Sequence, residues 1–107
     1  MRAAQLHADQ MAASQTLSHT LLRAPYPRLQ DRMNAAGYHW RGMTENLAQG
    51  YPSTASVMTA WMNSPGHRAN LVSTRLTETG VGVATGKDGH RYWVQVFATP
   101  QGTAAST

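Results

Sequence analysis

The sequence predicts an α+β fold, with helices first and an antiparallel pair of strands last. Three observations predict it. Apolar residues recur at helical spacing through the opening segment and again before residue 72. After residue 78 the period changes, and "GVGVATG" and "RYWVQVFAT" alternate and are rich in valine and aromatics. Between those two runs, Lys87-Asp88-Gly89 is a hairpin turn signal. Helices grouped ahead of antiparallel strands pack as layers of the α+β kind.

Residues 2–18 carry Ala4, Ala8 and Met11 on one strip and Leu6, Ala13 and Leu17 on its neighbour, which predicts a first helix ending just before His19. Pro25 and Pro27 in "RAPYPRL" break any helix. A second helix is predicted over 28–36, with Leu29, Met33 and Ala36 on one side and Gly37 as its terminator. "GYHWRGMTENLAQGYPS" is rich in glycine and reads as a loop holding Thr44-Glu45-Asn46. Ser53 or Thr54 caps a third helix through about Met62, with Val57 and Trp61 one turn apart. The fourth helix opens at Ser64-Pro65, and the two strands come after it. Residues 1–100 make one domain, and 101–107, "QGTAAST", form a small polar tail expected to be flexible.

Composition excludes several classes. A chain of 107 residues has room for one domain, and 41% hydrophobic with 13% charged residues is globular rather than disordered. Without cysteine there is neither a disulfide frame nor a thiolate metal site. No apolar run reaches the length of a membrane span. The opening "MRAAQLHADQMAASQ" lacks the apolar core of a signal peptide and reads as a helix already under way. Net charge is +4, but the eight arginines are scattered, so specific nucleic-acid binding is not expected.

The chemistry concentrates in few places. In "SPGHRAN", Ser64 suits an N-cap, Pro65 suits the first helical position, and His67 then falls in the first turn. The positive end of the helix disfavours imidazolium there, leaving a ring able to bind a metal or accept a proton. Glu45 stands in its glycine-rich surroundings with no lysine nearby to balance it. His7, His39 and His90 are read as structural, His90 because it belongs to the hairpin turn.

Four stretches, "ADQMAASQTLSH", "AAGYHWRGMTENLAQGY", "VMTAWMNSPGHRANLV" and "TETGVGVATGKDGHRYWVQVFATP", occur in an order and at intervals that resemble the CAP superfamily. That superfamily unites cysteine-rich secretory proteins, venom antigens and pathogenesis-related class 1 plant proteins. The chain is most similar to its bacterial, cysteine-free branch of SCP-like proteins, over about residues 3–100. The resemblance implies an α-β-α sandwich on a small antiparallel sheet, with a cleft bearing two histidines and two glutamates. Matched motif by motif, the histidines are His19 and His67 and one glutamate is Glu45, with Thr44 where a glycine is usual. The second glutamate is replaced by Ser64. Ser64 and Asn70 flank His67 and complete the expected cleft set.

The resemblance also implies a chemistry and a setting. His19 and His67 would come within a metal's reach of each other and hold Zn²⁺, with Glu45 at the cleft's edge. The protein would be a secreted or periplasmic module that binds a small molecule, a lipid or a cell-envelope partner. The alternative is a metal-dependent hydrolase, with Glu45 as general base for a zinc-bound water. Family members begin with a further helix bearing an "N…R" pattern. Starting at Met1, this chain is expected to lack it, through truncation or with self-association in its place.

Overall fold

The structure, a computed structural model, describes residues 2–102. Its elements are α1 (Arg2–Ser14), α2 (Leu29–Ala35), β1 (Trp40–Gln49), α3 (Thr54–Met62), α4 (Pro65–Leu71), β2 (Glu78–Thr85) and β3 (Arg91–Pro100). Residues 103–107 of the expected flexible tail, and Met1, lie outside the described residues.

The strands form one antiparallel sheet in the order β1-β3-β2. β3 is central, and all of it from Tyr92 to Thr99 is buried. Because successive strand side chains point to opposite faces, β3 feeds two cores. Tyr92, Val94, Val96 and Ala98 join Ala4, Ala8 and Met11 of α1 and Met33 of α2. Trp93, on the other face, packs with Ala48, Val57 and Trp61. Helices therefore cover the sheet from both sides, as the α-β-α expectation requires.

The alanines of α1 let the helix lie close on the sheet, and Gly82 of β2 makes that approach possible. A Cβ on Gly82 would come 2.6 Å from the Gln5 backbone. The Gln5 side chain also closes the outer edge of β2, donating to Val83 O at 2.9 Å and accepting from Val83 N at 3.2 Å. The Lys87-Asp88-Gly89 hairpin forms as expected, with Gly89 at φ 82° and Gly86 N donating to His90 O at 2.9 Å.

Three sequence expectations are corrected. The first helix stops at Ser14, not at 18, and His19 lies in the following loop. Gln15 turns to φ 51°, Thr16 N donates to Met11 O at 3.1 Å and Gln15 N to Ala12 O at 3.4 Å. This is a Schellman ending built on glutamine rather than glycine. The segment read as a glycine-rich loop is mostly β1, so Glu45 and Asn46 are strand residues. Ser64 stands at the N-cap of α4, but its hydroxyl makes no capping bond to an orphan N–H. It is hydrogen-bonded to His67 instead.

Candidate functional site

β1 is an edge strand, and its alternation sorts the expected site residues. Glu45 and Asn46 are neighbours, so their side chains leave the sheet on opposite faces. Glu45 points to the α1–α2 side. There Arg32 of α2, fully buried, donates from Nη2 to Oε1 at 2.9 Å and to Oε2 at 3.1 Å. His19 Nδ1 lies 3.0 Å from the same Oε1, with its side chain 63% exposed. Asn46 points the other way. Its Nδ2 donates to His67 O at 3.2 Å, and its Oδ1 accepts from Asn70 Nδ2 at 2.8 Å.

The Arg32–Glu45 pair sits at the centre of a clamp on the 15–28 loop. Arg32 also donates to Tyr26 O, Pro27 O and His19 O at 3.3, 3.0 and 3.1 Å. From α1, His7 Nε2 bonds Ser18 O at 2.7 Å, and Gln10 takes both Tyr26 N and Tyr26 O. The bond to a carbonyl fixes the proton of neutral His7 on Nε2, which leaves Nδ1 to accept from Gln10 Nε2 at 3.3 Å. Burial, aided by the Arg32 charge, holds His7 below the ordinary histidine range.

His67 belongs to a cleft of about 540 Å³ that runs along the end of β1. Leu17 from the clamped loop lines it, together with Ala60 and Trp61 of α3 and with Ser64 and His67 at the start of α4. His67 Nδ1 is 2.9 Å from Ser64 Oγ. Trp61 Nε1 donates to Leu47 O at 3.0 Å and fixes α3 to the strand. A second, more apolar groove of about 790 Å³ lies between α1 and the 15–28 loop, lined by residues including Leu6, Leu21, Leu22 and Tyr26.

The structure thus divides the expected set. His19 and Glu45 meet, Ser64 and His67 meet in the cleft, and Asn70 supports Asn46 rather than lining it. Among the described residues no three His, Cys, Asp or Glu side chains form a group able to hold a metal. The donor chemistry agrees, since Glu45 is already the acceptor for a buried guanidinium whose charge opposes a cation beside it. Glu45 is thus taken up by Arg32 and His19, while His67 Nδ1 is taken up by Ser64 Oγ.

Two residues escape a reading of the sequence alone. Arg32 lies in the apolar stripe of its helix, three residues after Leu29 and four before Ala36, and a charge in that stripe is the signal that finds it. His90, expected to be only a turn residue, lines the cleft, with Gln49 Nε2 at 3.0 Å from its Nδ1.

Comparison with known proteins agrees with this architecture. A profile of the CAP family, the cysteine-rich secretory protein family, matches residues 1–97. YkwD of Bacillus subtilis is 36% identical over 67 residues, 63% of this chain and 25% of YkwD. An extracellular protein containing an SCP domain from Bacillus anthracis superposes with a TM-score of 0.76 at 27% identity, over 90% of this chain and 30% of that one. An outer surface protein from Borrelia burgdorferi superposes with a TM-score of 0.79 at 24% identity, over 92% and 71% of the two chains, and shows the shared fold. The chain spans about a quarter of the length of YkwD. No helix among the described residues is long and apolar enough to cross a membrane.

Proposed function

The chain belongs to the CAP, or cysteine-rich secretory protein, family, and on that premise we propose that it is a binding module working outside the cytoplasm. It takes a ligand or cell-envelope partner in the cleft at the end of β1. The extracytoplasmic part of this reading leans on the extracellular and outer-surface relatives from Bacillus anthracis and Borrelia burgdorferi. The observation that carries the binding part is the lining of the cleft. Apolar and aromatic walls from Leu17, Leu47, Tyr51 and Trp61 converge with a few polar groups at Ser64, His67 and His90. That mixture of apolar enclosure and sparse polar anchors is the usual make-up of a ligand site.

The alternative reading, a metal-dependent hydrolase, needs a metal held by His19 and His67, and among the described residues no group of three His, Cys, Asp or Glu side chains supports it. It also needs Glu45 as a free base, whereas both of its oxygens already accept hydrogen bonds from Arg32.

A small-molecule fragment screen followed by amide and indole resonances tests the binding reading. Hits are expected to move Gln49, the Trp61 indole, Ser64 and His67, and to be lost in Leu17→Asp. Hits confined to the groove outside α1 would overturn it. Calorimetry with Zn²⁺ tests the alternative. Equal traces are expected for the parent, His19→Ala and His67→Ala, and loss of binding in either variant would restore the metal reading.

A further inference from the structure

The cleft runs along five consecutive residues of backbone, Leu47 to Tyr51, at the free edge of the sheet. Two hydrogen bonds settle which backbone groups face it. Gly50 N donates inward to Arg91 O of β3 at 2.9 Å. Trp61 Nε1 donates from outside to Leu47 O at 3.0 Å. Backbone groups alternate in direction along an antiparallel strand, so Gly50 and Ala48 face β3, while Leu47 and Gln49 face outward. The Leu47 N–H, the Gln49 N–H and the Gln49 C=O are therefore turned into the cleft.

We propose that this cleft binds an extended peptide, which adds to the outer edge of β1 as a fourth strand. The inference rests on the reading of the cleft as a ligand site and names the class of ligand. Strand addition gains affinity from main-chain hydrogen bonds and specificity from pockets for alternate side chains. Both are in place here. The three outward backbone groups supply the hydrogen bonds. Trp61 packs on the Ala48 and Trp93 face of the strand, and Leu17 comes from the 15–28 loop that Arg32 ties to the Glu45 face, so successive peptide side chains would meet different walls. At about 3.3 Å per residue, the stretch from Leu47 to Gly50 holds about four peptide residues. Among the described residues no carboxylate lines the cleft, and the groups there that can take up positive charge are His67 and His90, so the peptide is neutral or acidic rather than basic. The other edge of the sheet is not available in the same way, because the Gln5 side chain occupies both backbone groups of Val83.

The test uses immobilised random-sequence hexapeptides as the probe, with the strongest binder resynthesised carrying N-methyl groups at alternate residues. N-methylation keeps the side chains and removes the donors. At least a tenfold loss of affinity is expected in one of the two methylation registers. On the protein, Gln49→Pro deletes one outward N–H that the sheet does not use, and Gln49→Ala deletes only the side chain. Gln49→Pro is expected to lose at least tenfold in affinity with its melting curve retained, and Gln49→Ala to bind. Should Gln49→Pro not fold, the methylated peptides on the parent protein still decide. Equal binding of parent and both methylated peptides would overturn strand addition while leaving the cleft a ligand site. So would an array with no binder, where small-molecule fragments still move Trp61 and His67. Failure of fragments and peptides alike would remove the cleft reading itself.

Discussion

Removing the Arg32 guanidinium would leave the Glu45 carboxylate buried, with the exposed His19 ring as its remaining side-chain partner. Breaking a buried ion pair from one side costs about 3–5 kcal/mol, because the surviving charge is uncompensated. Arg32→Ala is therefore expected to lose stability in that range by urea denaturation. Arg32→Met combined with Glu45→Leu should recover much of it. His7 carries a pH dependence of opposite origin. Its native ring is held below the ordinary value of 6.5 first by burial and then by Arg32, against the pull of Glu45, with His19 adding slightly to the lowering. The unfolded chain then binds the proton at higher pH than the native state does. Stability contributed by neutral His7 is complete above about pH 6.5 and declines as pH falls below it. Urea midpoints measured between neutral and mildly acidic pH should show that decline in the parent and a flatter profile in His7→Gln. Arg32 and Glu45 are hard to see as partners in the sequence, since they lie on different elements and the contact between them is tertiary.

At the scale of elements, the closeness of α1 to β2 is the most exacting feature. A methyl group at Gly82 would meet the backbone of Ala4 and Gln5 at 2.6–2.7 Å, and backbone cannot swing aside as a side chain can. Gly82→Ala is expected to cost about 1–3 kcal/mol, the usual range for overpacking. It should also weaken the hydrogen bonds of Gln5 to Val83, which amide exchange at Val83 would report. α1, α2, α3, α4, β2 and β3 are all legible in the sequence, because periodicity and turn residues announce them. β1 is not. Gly42, Glu45 and Asn46 lower its strand propensity. Its four buried residues, Glu45 to Ala48, serve both faces, so no polar and apolar alternation remains to be read. The end of α1 is concealed for a related reason. Leu17 continues the apolar spacing, but the chain has already turned at Gln15, and Leu17 lines the cleft instead.

For the whole molecule, a net charge of +4 spread over scattered arginines predicts general rather than selective attraction to polyanions. Fluorescence anisotropy with two unrelated duplexes should show weak binding, equal for both and lost as salt rises. Tight binding to one of them at physiological salt would contradict this. The sequence by itself determined the α+β layering, because hydrophobic period, caps and turns are local properties, and its four ordered motifs carried the resemblance to the family and the residue types that resemblance implies for the site. His67 and Ser64 are legible in the same way, being three residues apart on one helix start. Only the tertiary structure decided that His19 and Glu45 belong to the buried Arg32 clamp on one face of the sheet, while His67 pairs with Ser64 in the cleft along the edge of β1. The reason is the two-residue period of β1. Adjacent side chains at Glu45 and Asn46 are sent to opposite layers, and a segment not recognised as a strand does not disclose which layer each residue joins.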